Sequence, residues 1–205
     1  MSIISRAINI LMQPRSEWQR IDAAPATPGA LLAGYALPLS LLPLVGTVLA
    51  ALLFASFFPY TGMGLWLFVL ASAVIGLVLG LVVLFVMSLV ADALAPNFGG
   101  VRNPIGALKL LVYAGTATWV AAFFTFIPII GWLIALAGFA YAAYLIYLGS
   151  MAVMKVPPAS AAAYTAVVIL VWIVLAFIVS FVVNLIVGVL VAGSAVVAGA
   201  GTLMR

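Results

Sequence analysis

Cysteine and histidine are both absent from this chain of 205 residues. Without thiols there is no disulfide, no thiolate metal site and no cysteine nucleophile. Without imidazole, the commonest metal ligand and the usual general base are missing too. The acidic residues are only three, Glu17, Asp22 and Asp92. A two-carboxylate hydrolase or a carboxylate metal cage would need these distant positions to converge. The residues therefore offer no catalytic group, no metal site and no cofactor site, and they argue against most enzyme classes. Charge of either sign is scarce: 5% of residues are charged, against about a quarter in a soluble domain.

Apolar residues supply 69% of the chain, and ten charges cannot coat a globule of this size. The composition is that of an integral membrane protein whose first partner is the lipid bilayer. The net charge of +4 does not indicate nucleic acid. The seven basic residues are scattered and form no run, which fits the positive-inside rule better.

Gaps between charges count the spans. No charge interrupts the 69 residues between Asp22 and Asp92, the 45 between Lys109 and Lys155, or the 49 between Lys155 and Arg205. A membrane helix needs about 20 apolar residues. The first gap therefore holds two spans, split at Pro59-Tyr60-Thr61-Gly62, and the second holds two, split near Pro128. The third holds one, since the segment beyond 190 is short and rich in Gly and Ala. The predicted architecture is all-α: a polytopic bundle of five transmembrane helices at roughly 29–57, 64–94, 105–126, 129–149 and 162–190. Residues 1–27 form a cytoplasmic or interfacial segment, 28–192 the five-helix domain, and 193–205 a short tail.

Thr27-Pro28 and Asn103-Pro104 each place a capping side chain before a proline suited to the first helical turn. Pro96 ends the second span. Pro38 and Pro43 kink the first span, so that its freed carbonyls must face another helix or a cavity. With the N-terminus inside, six basic residues are cytoplasmic and only Arg205 is outside. The predicted orientation is N-in, C-out, in a cell membrane of the bacterial inner-membrane type.

Ser2, Ser5, Arg6, Asn9 and Gln13 recur at helical spacing, with Ile3, Ile4, Ala7, Ile8 and Leu11 opposite them. This predicts an amphipathic helix of about three turns, stopped by Pro14 and resting in the membrane interface. Ile4, Ile8, Leu11 and Trp18 are its candidate interfacial anchors. A helix offered to a partner protein is the second reading. Tyr141, Tyr144 and Tyr147 read as an aromatic belt, or as a wall for a lipid or ligand.

Small residues repeat every four positions in span two (Ser72, Gly76, Gly80) and in span five (Ser180, Asn184, Gly188, Ala192). Such faces predict close helix packing within the monomer, with self-association as the other use. The most informative stretch runs from Asp92 through Pro96, Asn97, Phe98, Gly99 and Gly100 to Arg102 and Lys109. A carboxylate inside an apolar helix end is expensive unless paired. Lys109, at matching depth on the returning helix, is the expected partner, and Arg102 is its competitor. A hairpin clasp, a partner or lipid-headgroup site, and an ion or proton site are the three readings.

Pro14-Arg15-Ser16-Glu17-Trp18 with Ile21, Gly34-Tyr35 with Pro38, and the Asp92…Ala95-Pro96-Asn97-Phe98-Gly99-Gly100 segment resemble the Yip domain family. Ala107-Leu108-Lys109-Leu110 with Tyr113, then Trp119 and Tyr147-Leu148-Gly149, extend that resemblance over nearly the whole chain. It implies five membrane helices with a cytosolic N-terminus. Eukaryotic members bind Rab-type GTPases and shape or sort vesicle membranes, but the long N-terminal extension tied to partner binding is absent here. The compact form is similar to prokaryotic members. The resemblance implies a non-enzymatic, membrane-organising or regulatory scaffold, acting as a homo-oligomer or through a cytoplasmic-side protein or an anionic lipid. The alternative is a small transporter or channel with Asp92 as its polar site.

Overall fold

A computed structural model describes residues 2–57 and 63–203. The turn expected at 59–62 and the terminal Arg205 lie outside the described residues. Helix α1 (Ile3–Met12) is capped by Ser2, whose hydroxyl accepts the Ser5 N–H at 3.2 Å. Helix α2 (Pro14–Ala23) follows at once, with Pro14 at its first turn. A short α3 (Pro28–Leu31), capped by Thr27, widens into a π-turn over Leu32–Ala36 and continues as α4 (Leu37–Phe57). Then come α5 (Met63–Leu94), α6 (Pro104–Phe123), α7 (Ile130–Val153) and α8 (Pro158–Leu203).

Among the described residues, five segments are long and apolar enough to cross a membrane: Pro28–Phe54, Phe68–Phe98, Pro104–Phe126, Ile130–Val153 and Pro158–Leu190. The five-span, all-α reading stands. Two boundaries differ from expectation. Helix α8 runs on to Leu203, through most of the segment 193–205 expected as a tail. The segment 1–27 holds a second helix, α2, beyond the expected stop at Pro14.

Span Pro104–Phe126 is the hub. It is mostly buried, whereas the outer spans expose most of their residues, as lipid-facing helices do. Its closest neighbour is α7. A Cβ on Gly138 would meet the Ala121 side chain and, at 2.9 Å, the Ala117 carbonyl, so only glycine permits this approach. Around the α6 end nearest Asn103 the core gathers Ile10, Trp18, Ile21, Leu110, Leu145 and Tyr164. At this end the ends of α5 and α7, the starts of α6 and α8, and both N-terminal helices come together.

The small-residue faces correct a prediction. An added Cβ at Gly76, Gly80 or Gly188 would meet nothing within 4 Å. Gly76 and Gly80, with Ser72, Ser180 and Asn184, line a cavity of about 470 Å³ between the helices. The three glycines make no tight helix contact among the described residues. The hub helix α6 fills the centre and packs on α4, α5 and α7, while α8 leans on α5 and α7 and leaves the cavity between them. Pro43 and Thr47 of α4 line the same cavity, as expected of a proline-disrupted face, and the Thr47 hydroxyl donates back to the Pro43 carbonyl of its own helix at 2.9 Å.

Candidate functional site

Nearly all the ionisable side chains collect at the Asn103 end of the bundle. Glu17 lies on the inner face of α2 and its side chain is completely buried. Its carboxylate accepts from Arg6 of α1 at 2.9 Å and from Arg20, one turn along α2, at 3.2 Å. Both carboxylate oxygens thus have a cationic donor, which a buried carboxylate requires. The Arg6 guanidinium also sits 5.7 Å from the centre of the Tyr113 ring. Tyr113 meets Trp18 and Tyr35 edge-on, with ring centres 6.4 and 4.7 Å away. The Tyr35 hydroxyl bonds to Thr116 at 2.9 Å. One ion pair and one aromatic stack thus fasten α1, α2, the first span and α6 together.

Trp18 corrects a second expectation. It is 1% exposed and stands against Gly149 of α7, not in an interfacial belt. Among the described residues its indole N–H has no hydrogen-bond partner, so the residue contributes through packing. Of the other proposed anchors, Ile4 and Ile8 are exposed, while Leu11 packs on the core and its carbonyl accepts from the Tyr141 hydroxyl at 2.6 Å. Helix α1 therefore has two apolar sides: Ala7 and Ile10 turn inward, Ile4, Ile8 and Met12 outward. Tyr141 serves as a clasp for α1.

The expected Asp92–Lys109 pair is not formed. Lys109 is buried and points to α2, where its ammonium donates to the carbonyls of Ile21 at 2.8 Å, Asp22 at 3.3 Å and Ala24 at 2.6 Å. The last carbonyls of a helix lack internal partners and carry partial negative charge. Three N–H donors on one ammonium match three such carbonyls. Without α2 in the reckoning, Asp92 was the only anion within reach of Lys109.

Asp92 instead accepts the backbone N–H of Asn103 at 2.6 Å. Asn103 is a three-way junction. Its Oδ1 caps α6 by accepting the Gly106 N–H at 2.9 Å, and its Nδ2 donates to Val153 of α7 at 3.3 Å. The turn between α5 and α6 is a 3₁₀ segment, Ala95–Phe98, closed by Gly99 at φ +78°. Gly100 donates to the Ala95 carbonyl at 2.9 Å, and a Cβ there would strike the Met154 carbonyl. Val101 then donates to that same Met154 oxygen at 2.9 Å. Phe98 meets Tyr164 edge-on, and the Tyr164 hydroxyl reaches the Ala91 carbonyl at 2.9 Å. Pro96 and Asn97 are exposed on the turn, and Arg102 points outward without joining Asp92. The Asp92–Gly100 stretch is thus a clasp: Asp92 ties the end of α5 to the start of α6, and Gly100, Val101 and Asn103 lock that hairpin against the end of α7.

Lys155 closes the plate. It sits at φ +55° between α7 and α8 and donates to the Asp22 carboxylate at 2.6 Å and to the Ala152 carbonyl at 2.6 Å. Among the described residues, no group of three or more His, Cys, Asp or Glu could hold a metal. The signals for α2 were in the sequence: Pro14 at a first turn, acidic Glu17 just after it and Arg20 near the end.

These features define an α-helical polytopic membrane protein with a cross-braced polar plate at one end and an apolar cavity further along the bundle. The chain belongs to the Yip1 domain family, whose model matches residues 8–180. No curated protein and no solved structure matches it. The residues that carry the resemblance are largely those of the plate: Glu17, Trp18, Ile21, Tyr35, Asp92, Gly99, Gly100, Lys109, Tyr113 and Gly149.

Proposed function

We propose that this protein is a non-enzymatic membrane scaffold of the bacterial inner membrane, presenting its polar plate to the cytoplasm with the N-terminus inside and the C-terminus outside. The segment 28–192 is the membrane-embedded unit, and 1–27 docks beneath it. One observation carries the reading. All three acidic side chains are spent inside the plate, Glu17 on Arg6 and Arg20, Asp22 on Lys155, and Asp92 on Asn103. Arg15 and Arg102 stand exposed beside them. A rigid surface with its carboxylates used internally and its guanidinium groups outward suits an anionic partner, a protein or a lipid surface. Self-association in the membrane would multiply that surface. The exposed Ile4, Ile8 and Met12 suit a helix lying on the bilayer.

A small transporter using Asp92 is the weaker reading. Asp92 is engaged in the turn, and no charged side chain lines the cavity. The chain has no native cysteine, so single-cysteine variants test the proposal cleanly. Arg102→Cys should react with a membrane-impermeant maleimide only after permeabilisation, and Ile129→Cys should react in intact cells. The reverse pattern overturns the orientation. A photocrosslinker placed at position 102 should capture a protein or anionic lipid in native membranes, and Arg15→Gln with Arg102→Gln should weaken partner binding. Proton or cation flux in liposomes, lost in Asp92→Asn, would overturn the scaffold in favour of the transporter.

A further inference from the structure

The cavity between the helices has a volume of about 470 Å³, inside the range of about 300–1,000 Å³ found for small-molecule sites. Its lining is mostly apolar, with a few hydroxyls and one amide among the aliphatic and aromatic side chains. Most polar side chains on its wall turn a donor back to their own helix. Ser40 bonds the Leu37 carbonyl at 2.9 Å, Ser72 the Val69 carbonyl at 3.0 Å, and Thr118 the Gly115 carbonyl at 2.9 Å. Asn184 donates to the Ser180 carbonyl at 2.7 Å. Water needs two to four polar partners to stay in a buried space, and this wall keeps few for it. Trp119, Phe139 and Trp172 supply flat apolar surface.

Shape narrows the occupant further. On α5 the lining runs from Ser72 to Met87, about 22 Å at 1.5 Å per residue. That exceeds half of a hydrocarbon core about 30 Å thick. A helix about 10–12 Å across over that length would need roughly 2,000 Å³, so a helix of a second copy does not fit inside. Thr47, Gly80, Ser180 and Asn184 are exposed members of the wall, so the space opens sideways within the spans. In a bilayer, that opening faces acyl chains. We infer that the cavity is a lipid site that takes one acyl chain of a membrane lipid along the α5 and α8 faces.

The test uses the full chain, one copy per nanodisc, in a Trp66→Phe/Trp132→Phe background. Trp119 and Trp172 then report the cavity, while Trp18 is buried elsewhere. The probe is phosphatidylcholine brominated along its acyl chains. Emission should be quenched in this parent and recover when Gly76→Leu and Gly80→Leu fill the space, with the circular dichroism spectrum unchanged. Should that variant fail to fold, Ser72→Leu carries the same comparison. An unquenched parent overturns the inference. So does equal quenching in the filled variants, which would place the bromines on the outer surface alone.

Discussion

The two ends of this bundle are held together in different ways. At the Asn103 end, ion pairs, side chain-to-carbonyl bonds and an aromatic stack cross between elements far apart in sequence, from Arg6 to Tyr164. Beyond it, α4, α5 and α8 meet through apolar side chains, leave Gly76 and Gly80 facing open space and enclose a cavity. The difference teaches how a membrane fold is specified. Lipid tails are as apolar as leucine, so apolar faces have little preference for one another over the bilayer. Polar groups shielded from water do have one, because an unpaired group costs several kcal/mol there. Specificity therefore concentrates where polar atoms are buried.

The contrast breaks most sharply at Glu17. Replacing it with Ala leaves the Arg6 guanidinium half-buried without its partner, and loss of one member of a buried pair costs about 3–5 kcal/mol. The unfolding midpoint in detergent should fall steeply. Trp18→Ala should cost a similar amount, about 3–5 kcal/mol for a large core aromatic. Trp18→Phe should cost clearly less, since the indole N–H has no partner to lose.

Glycine sharpens the comparison. Gly138→Leu should destabilise by about 1–3 kcal/mol or more, because α6 stands directly against it. Gly80→Leu should be close to neutral in the same thermal measurement, since an added Cβ meets nothing. Equal losses would mean that α5 is packed as tightly as α7.

Lys109→Ala removes the donor of three carbonyls, at about 1–3 kcal/mol for each one left dry. Asp92→Ala frees the Asn103 N–H, a separate site. The double variant should therefore be additive within about 0.5 kcal/mol. A large coupling between them would restore the direct pair. Asp22→Ala should show the smallest effect among the polar contacts, about 0–1 kcal/mol, because the Lys155 and Asp22 side chains are 53% and 36% exposed. It should also fade at high salt.

What could be read in advance followed from local signals. Charge-free gaps gave the five spans, and Thr27, Asn103 and Pro96 marked their limits. The Asp92–Gly100 stretch was recognisable as a clasp because a carboxylate, a proline and two glycines adjoin there. Its partners were not recognisable. Lys109 was assigned to Asp92 by matching depth on neighbouring helices, yet it bonds to carbonyls, and every residue has a carbonyl. Trp18 was assigned to the interface by composition, and the small-residue stripes to helix contacts by a pattern common in membrane spans. Glu17 gave no sign of burial, because its two partners lie eleven residues before it and one turn after it.

The sequence by itself determined the class, the number of spans and the segment of strongest constraint. Hydropathy and proline act over a few residues, so their consequences need no knowledge of neighbours. Only the tertiary structure decided that α2 folds beneath the bundle, that Lys109 caps it, and that Asn103 holds Asp92 and joins α5, α6 and α7. It also decided that Gly138 is a tight contact whereas Gly80 borders a cavity. Both glycines sit in apolar helices with small neighbours at four-residue spacing. The one faces α6 across a close approach and the other faces a gap, and that depends on how the hub helix divides the space.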